Sequence, residues 1–453
     1  MRRLAWTLLL AASSARAGGL VVDAGSVRAI GRAGAGTVSD DGGGALLVNP
    51  AGLARRDTWR VQLGIVLADD AVTWRPANSD APVARDQASS STLPAIAVEG
   101  SLGGWVIGIG AQTAAASSRA LASPTDFPVD SPDLLANRYQ YRYAGVAGAL
   151  RRDTLMVGAA HRLGDAVAIG VAVGGARVRL DETRSVWASS LAVGTGQVFE
   201  RDRDVLVTAS ATGYAPTAVA GVLIAPTDTR VELAASVGWT AATSLDGSYR
   251  TTDPTPSMGN AAVGSTVTYP SSHLVLHEPV TVRTGVRWAG EHWIGEVGGD
   301  LWLLSSTAQA PAWRLAGLDI SDEASGDTAP LTKLPSRAAS QTHGALRAAI
   351  DVELIGGFLW ATAGYAYTTA GTPAARLSPA FGELAGHTAA AGLEISAGDF
   401  TISLGWARTW SVAKTSASLW QHDNPFPSGD AALPTGTYDG SRDLVGLAID
   451  AEL

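Results

Sequence analysis

The sequence predicts an all-β fold: a transmembrane antiparallel β-barrel of about 14 strands with an N-terminal hatch inside its lumen. Three observations predict it. They are an export signal, long segments in which apolar and polar residues alternate, and short turns that alternate with long polar loops. The composition agrees, because the 453 residues include 52 Gly and 14 Trp and only 17% are charged. Soluble domains usually carry about a quarter of charged residues.

The first element is a secretory signal peptide over residues 1–17. Arg2 and Arg3 precede a short apolar run at 4–12, and Ala15-Arg16-Ala17 forms a small-x-small cleavage site. The run is too short to cross a bilayer, which takes about 20 residues. We therefore expect export and a mature chain that begins at Gly18. The absence of cysteine excludes a lipid-anchored lipoprotein and a disulfide framework.

The second element is the stretch 18–57, which does not alternate and cannot build a core alone. Its features are glycines, an acidic pair and an Asn-Pro turn, namely Gly31, Gly34, Gly36, Asp40, Asp41, Asn49, Pro50, Ala51 and Gly52. The glycines lack the spacing, the preceding strand and the lysine of nucleotide-binding loops. Because glycine permits close backbone packing, we expect a compact hatch, or plug, inside the barrel.

The third element is the barrel itself, over residues 58–453. In the segment 279–290, for example, Val282 and Val286 share one phase, whereas Arg283 and Arg287 share the other. Successive side chains of a strand point to opposite faces, so each such segment has an apolar and a polar face. We expect the apolar face to contact lipid and the polar face to line the lumen.

Fourteen such segments can be counted along the chain. They are 58–68, 93–102, 105–115, 138–162, 166–180, 202–225, 230–241, 279–289, 292–304, 342–355, 358–369, 386–396, 400–410 and 441–453. The long loops between them are 69–92, 116–137, 181–201, 243–277, 305–341, 371–385 and 411–440. An even number of strands is typical of single-chain bacterial barrels and places both chain ends in the periplasm.

Two of these segments are longer than a simple strand. The segment 202–225 contains Pro216, which predicts a bulge or kink because proline cannot donate to a ladder. In 138–162, Tyr139, Tyr141 and Tyr143 share a phase. They either belong to an aromatic girdle or lie on an exposed strand above the membrane.

The stretch 18–55 resembles the N-terminal hatch of the FadL family of outer-membrane transporters for fatty acids and aromatic hydrocarbons. The residues that carry the resemblance are Gly19-Leu20, the run 31–36, Asp40-Asp41 and Asn49-Pro50-Ala51-Gly52-Leu53. The hairpins at 221–239, 282–305 and 363–382 are also similar to family hairpins. Leu453 departs from the pattern, because an aromatic residue is common at barrel C-termini. The resemblance implies a plug near a kink in the third strand and lateral exit of a hydrophobic ligand through the wall. Within such a plug, we expect the Asn49 side chain either to tie the hatch to irregular backbone near residues 105–115 or only to end a turn.

The lumenal phase also carries charges. Arg283, Arg287 and Arg347 face a set of acids that comprises Glu296, Asp300, Asp351 and Glu353. Opposed charges brace a wide barrel, and the alternative is that one or two of the arginines hold a ligand carboxylate. We find no convergent catalytic set. The sequence 411–414 matches the Ser-x-x-Lys motif of penicillin-recognising enzymes, but here it overlaps the Lys-Thr-Ser sequence at 414–416 in a predicted loop, whereas those enzymes hold the two motifs far apart. His273 and His277 lack an evident third metal ligand. We therefore predict no enzyme, no metal and no cofactor.

The predicted function is passive transport of hydrophobic compounds, above all long-chain fatty acids, across the outer membrane of a Gram-negative cell. Expected partners are this ligand, outer-membrane lipid with lipopolysaccharide, and the barrel-assembly machinery. A net charge of −9 argues against nucleic acid. The alternatives left open are a general aqueous porin, which would lack a plug, and a barrel whose long loops act as an adhesin or enzyme. Ligand co-purification distinguishes the first, and activity on lipid esters the second.

Overall fold

A computed structural model describes residues 26–77, 83–122, 141–187, 204–252, 266–305, 311–321, 325–416, 419–421, 425–426, 431–433 and 435–453. Within them, fourteen strands form the barrel. They are β1 (Arg60–Pro76), β2 (Ser91–Leu102), β3 (Trp105–Ala120), β4 (Ala147–Leu163), β5 (Val167–Trp187), β6 (Asp204–Ile224), β7 (Val231–Thr240), β8 (Val280–Ala289), β9 (Trp293–Leu303), β10 (His343–Ile355), β11 (Leu359–Thr368), β12 (Ala385–Ala397), β13 (Phe400–Val412) and β14 (Gly436–Glu452). The signal peptide at 1–17 lies outside the described residues and stays a prediction.

The strands close into a ring, as predicted. Each pairs antiparallel with its neighbours in the sequence, and β14 pairs with β1 from Arg60↔Glu452 to Pro76↔Gly436. Closure gives every strand a neighbour on both sides, which is what a barrel in a bilayer requires because the hydrocarbon offers no hydrogen-bond partners. No helix among the described residues is long and apolar enough to span a membrane.

The outer face of the ring is apolar. On β9 and β13, Leu301 and Ile402 are exposed, whereas Glu296 and Ser403 on the opposite faces are buried. The predicted strand phases are therefore confirmed there. Exposed aromatic side chains also lie beside the short turns, namely Trp59, Trp105, Trp288, Trp293, Phe358 and Phe400. This arrangement is the aromatic girdle expected at one membrane interface.

Above the membrane-spanning part, several predicted loops are folded. The shorter strands are Ala84–Arg85, Thr243–Thr252, Thr266–Leu276, Ala312–Leu315, Asp319–Ser321, Thr328–Pro330, Lys333–Pro335, Lys414–Thr415, Leu419–Gln421 and Ala431–Leu433, and Ala374–Arg376 is a 3-10 helix. The first long pair extends the wall, since Thr243–Thr252 pairs with the upper part of β6. Leu245, Leu274 and Trp313 share a buried cluster with Phe381. These loops were predicted to be polar, and the apolar residues scattered in them make a separate core.

Two sequence predictions are wrong in detail. Pro216 causes no bulge, because the β5–β6 register is regular through Gly175↔Pro216. It stands instead where β6 changes partner, between Thr212, paired with Asp246, and Thr217, paired with Thr240. Tyr141 and Tyr143 neither join a girdle nor lie exposed. Both are buried in a helical turn before β4, and Tyr139 lies outside the described residues.

The N-terminal segment, residues 26–57, consists of short helices joined by tight turns. Helix α1 spans Val27–Gly31, α2 spans Ala45–Val48, and a 3-10 helix spans Pro50–Arg55. The hydroxyl of Ser26 caps α1 by accepting a hydrogen bond from the Ala29 N–H at 3.2 Å. Most of its residues are buried although the helices are too short to make a core. They are buried against the inward face of the barrel strands.

Candidate functional site

One side of the N-terminal segment is fixed by a buried arginine. Arg32 is 1% exposed, and its guanidinium donates to Glu296 of β9 at 2.8 Å and to Asp351 of β10 at 2.5 Å. It also donates to the Ala35 carbonyl at 2.8 Å. Two inward carboxylates of the wall thus share a cation from the segment. Just before it, Gly31 lies against the backbone of Gly392 on β12.

A second arginine reaches the segment from the wall. Arg347 of β10 donates to the Ala33 carbonyl at 2.7 Å and pairs with Asp300 at 2.6 Å. Gly34 has φ +83°, and a Cβ there would lie 2.4 Å from the Arg347 guanidinium. Only glycine accommodates both the left-handed backbone and the approach of this side chain. Gly36 belongs to the next turn, where its carbonyl accepts from the Asp40 N–H at 2.9 Å.

Asn49 ties the segment to the opposite wall. Its Oδ1 accepts from the Ala51 N–H at 3.2 Å, and its Nδ2 donates to the carbonyls of Thr37 at 3.0 Å and Val222 at 3.3 Å. Asn49 therefore both caps the Pro50–Arg55 helix and anchors the segment to β6. A Cβ at Gly221 would lie 1.9 Å from Oδ1, so glycine makes room for this contact. The predicted contact with residues 105–115 is wrong, because the Asn-Pro turn faces β6 rather than β3.

The acidic pair lies at the periplasmic end of the segment, beside a polar cavity of about 30 Å³ that Asp40 and Asp41 help to line. Burial and the neighbouring Asp41 raise the pKa of Asp40 to about 7. Burial acts on Asp41 in the same direction, but Arg56, Arg60 and Arg28 outweigh it and lower the pKa of that carboxyl. The pair therefore holds one firmly ionised and one readily protonated carboxyl.

The wall is interrupted between β2 and β3. Their ladder runs from Leu102↔Trp105 up to Ala95↔Gln112 and ends there. Above it, β3 pairs only with β4, and β2 only with β1. The next residue of β2 is Pro94, which has no N–H to donate to a ladder. We call the unpaired stretch between residues 91–94 and 113–120 the β2–β3 seam.

Cavities meet at this seam from both sides of the wall. Outside lies a groove of about 840 Å³ with Leu63, Ile96 and Leu155 on its floor. Inside lies a cavity of about 30 Å³ next to Ser26 and Val27 of the N-terminal segment. Both are lined by Gly64, Pro94, Ala95, Gln112 and Thr113. At the seam, therefore, the same five residues line both a lumenal cavity and a groove on the lipid-facing surface.

A polar clasp crosses the seam. The Arg151 guanidinium on β4 donates to the Thr92 carbonyl of β2 at 3.3 Å and to the Thr113 hydroxyl of β3 at 2.8 Å. Thr113 in turn donates to Asp153 at 2.7 Å, and Arg151 pairs with Asp153 at 3.0 Å. Thr113 is buried, but Arg151 and Asp153 are partly exposed, so their bonds are weak and can be exchanged with water.

Comparison with known proteins shows which family has this fold. Residues 8–295, more than half of the chain, match the sequence profile of the family described as "Outer membrane protein transport protein (OMPP1/FadL/TodX)". The chain belongs to this family. The resemblance to the FadL family is thereby confirmed, and the protein is an outer-membrane transport protein for hydrophobic compounds.

Solved structures of the FadL type have the same fold. A Pseudomonas aeruginosa FadL homologue superposes with a TM-score of 0.73 at 14% identity, over 97% of this chain and 100% of that one. The P. putida toluene transporter TodX gives a TM-score of 0.65 at 12% identity, over 94% and 98%. The CymD monoaromatic hydrocarbon channel gives 0.63 at 11%, over 97% and 98%. No curated protein matches the sequence.

The three lumenal arginines of this FadL-family chain all have carboxylate partners. Arg287 pairs with Glu232 at 2.7 Å, and Arg283 approaches Asp300 at 4.0 Å, as Arg347 does at 2.6 Å. Arg283 also donates to the Leu47 carbonyl at 3.4 Å. These contacts favour the bracing interpretation, and a ligand carboxylate on these arginines stays a prediction.

Of the two histidines that the sequence analysis considered as a metal site, one has an ordinary ion-pair partner. His273 pairs with Asp246 at 2.8 Å, and within the described ranges no group of three His, Asp or Glu side chains is arranged to hold a metal ion. The seam is not predicted by the sequence analysis, which assigns residues 93–102 to one uninterrupted strand. Its signal was Pro94 within that strand, since proline is confined to places where a ladder is interrupted.

Proposed function

We propose that this protein lets hydrophobic compounds, above all long-chain fatty acids, cross the outer membrane passively and leave sideways through the β2–β3 seam. The observation that carries the proposal is the end of the ladder at Ala95↔Gln112, with a cavity on either side of it. The ligand would pass from the inner cavity to the outer groove without meeting bulk water.

The route below the inner cavity supports lateral exit. Toward the periplasm the inner cavity adjoins the polar one, with which it shares Ser26, Gln62 and Ala448. That lower cavity is lined by charged side chains, namely Arg28, Asp40, Asp41, Arg56, Arg60, Glu394, Asp450 and Glu452. An acyl chain placed there would forgo about 0.8 kcal/mol per CH₂ relative to an apolar site. The apolar groove outside the seam involves no such loss, so no energy source is required.

The N-terminal segment would act as the plug that makes this route selective. Arg32, Asn49 and Arg347 tie it to walls on opposite sides of the lumen. A general aqueous porin would leave the lumen open. Deletion of residues 18–57 should therefore raise ion conductance in planar bilayers severalfold, while heat-modifiable gel migration shows a folded barrel. Unchanged conductance of the folded variant would contradict the plug.

The seam can be tested by closing it. The chain has no cysteine, so Pro94→Cys with Thr113→Cys introduces a single pair at the next position of the register above Ala95↔Gln112. Oxidation should join β2 to β3 and lower oleate uptake by cells, and a reducing agent should restore it. A control pair, Ala363→Cys with Ala391→Cys, joins register partners on the complete β11–β12 ladder.

The control decides what the result means. Uptake should be the same for the oxidised and reduced control pair, because that ladder is already closed. If the oxidised seam pair, shown to be cross-linked by gel migration, transports oleate as fast as its reduced form, lateral exit at this seam is wrong. Equal uptake by cells with and without the protein would instead reject fatty acids as its substrate.

A further inference from the structure

An unpaired arginine stands at the upper end of the outer groove. Arg177 of β5 is exposed, lines the groove and has no hydrogen-bond or ion-pair partner among the described residues. Its neighbours across the ladder are Asp153 on β4 and Tyr214 on β6. Asp153 is already engaged by Arg151 and Thr113, and Tyr214 is 75% exposed. Both Arg177 and Tyr214 are therefore available to a ligand.

The height of Arg177 on the wall is that of a lipid headgroup. Directly below it, the outward positions are apolar: Leu155 and Val173 are more than half exposed, and Gly175 leaves the space between them open. Above it, the outward positions are the charged Arg179 and Asp181. Arg177 thus lies at the boundary between the apolar band and the polar exterior, where the head of an amphiphile resides.

The charge of the groove selects the head. Its lining carries two arginines, Arg151 and Arg177, and one aspartate, Asp153, so the net charge is +1. Arg151 and Asp153 neutralise each other, which leaves Arg177 for an anion. A guanidinium matches a carboxylate through paired charge-assisted hydrogen bonds, and the Tyr214 hydroxyl is a further donor within the same rung. The floor of Leu63, Ile96 and Leu155 accommodates an apolar tail.

We propose that Arg177 and Tyr214 form a carboxylate site at the lip of the outer groove, which holds a long-chain acid as it emerges from the seam. The inference rests on the proposed function and extends it. The groove would retain an acid by its head while the tail leaves the lumen, whereas an uncharged hydrocarbon would pass without stopping. The site is distinct from the lumenal arginines, which are all paired.

Site-specific labelling tests this. A photoreactive oleate with its diazirine beside the carboxyl, and the matching photoreactive oleyl alcohol, are applied to the folded protein in nanodiscs. The acid should label peptides around Tyr214 and Leu155, and Arg177→Gln should lower that labelling about tenfold, the value of one charge-assisted hydrogen bond. The alcohol should label weakly in every variant. Arg179→Gln is the matched control, because Arg179 points outward on the same strand but pairs with Asp181 and does not line the groove.

Three outcomes would overturn the site. They are equal labelling by acid in Arg177→Gln and wild type, equal labelling by acid and alcohol, and loss of labelling upon addition of lipopolysaccharide, which would assign the arginine to a resident lipid phosphate. Failure of the proposed function is seen separately, in the uptake by the cross-linked seam variant. In cells, Arg177→Gln should slow oleate uptake and leave oleyl alcohol uptake unchanged, and equal slowing of both would also reject the site.

Discussion

The β2–β3 seam and the β12–β13 ladder are opposite solutions to the same problem, the joining of two neighbouring strands. The β12–β13 ladder runs without a break from Ala385↔Val412 to Ala397↔Phe400, and α1 packs on its inner face. The β2–β3 ladder stops halfway, at Pro94, and a clasp of polar side chains bridges the gap. The wall between β12 and β13 is thus closed by backbone hydrogen bonds, whereas the seam between β2 and β3 is closed by side-chain hydrogen bonds.

The difference shows where the molecule can open. Breaking a backbone ladder in a bilayer costs much free energy, because the freed N–H and C=O groups find no water to bond. Side-chain bonds such as Arg151 to Thr113 can be exchanged one by one. The N-terminal segment strengthens the contrast, since its buried charges lie against β9 and β10, whereas a small cavity separates it from the seam. Four predictions test this comparison.

The largest effect is expected from Arg32→Ala, on the closed side. It leaves Glu296 and Asp351 buried without their cation, and loss of one partner of a buried pair costs about 3–5 kcal/mol. Conductance in planar bilayers should rise, and the urea midpoint of unfolding should fall. The control is Arg56→Ala, whose side chain is 38% exposed and whose ion pairs are worth about 0–1 kcal/mol. Equal effects of the two variants would show that the buried contacts do not hold the segment.

Asn49→Ala should have the next largest effect. It removes the anchor to β6 and leaves the carbonyls of Thr37 and Val222 without this donor, at about 1–3 kcal/mol. The barrel should still show heat-modifiable migration, but oleate uptake at equal surface abundance should change. Asn49→Asp separates the two roles, because a carboxylate still accepts from the Ala51 N–H but cannot donate. Wild-type uptake by Asn49→Asp would leave Asn49 only its capping role.

The third effect depends on pH. The pKa of Asp40 is raised above its ordinary 3.8 to about 7, so its proton favours the packed segment. This stabilisation is fully present below about pH 4 and is lost as the pH rises through about 7. Opening events in planar bilayers should become more frequent over this range. We expect at least about a tenfold change, equivalent to one pKa unit, because loosening relieves the burial that is the larger cause of the raised pKa.

Asp40→Asn is the control for this pH dependence. It cannot ionise, so its opening frequency should stay at the low-pH level of the wild type from pH 4 to pH 7. A variant that opens with the same pH dependence as the wild type would assign the effect to another group.

The smallest effect is expected from Thr113→Val, at the seam. It removes the bonds to Arg151 and Asp153, which involve partly exposed groups and are worth about 1 kcal/mol. Oleate uptake should become a few times faster because the clasp opens more often. Thr388→Val is the matched variant on the closed side, where Thr388 bonds Thr409 across a complete ladder at 2.7 Å. Faster uptake in Thr388→Val as well would remove the distinction between the two sides.

Most of the ring was predictable because lipid requires alternation along every strand. Leu301 and Ile402 are outward and Glu296 is inward, as their phase indicates. The N-terminal segment was predictable as a unit from its glycines, but not in its contacts. Asn49 was expected against β3 and lies against β6, because local turn chemistry does not encode which wall a turn will meet. Arg32, the central cation of the segment, was not singled out for the same reason.

The sequence by itself determined a fourteen-stranded outer-membrane barrel with a compact N-terminal segment, because period-two alternation and short turns are local properties that the bilayer imposes on each strand. The tertiary structure alone decided where the β2–β3 ladder ends, since Pro94 interrupts a ladder only if its backbone nitrogen faces the neighbouring strand. It also decided which charges are free. Arg32, Arg347 and Arg177 look alike in sequence, and only the packing of distant strands pairs the first two and leaves the third exposed at the groove.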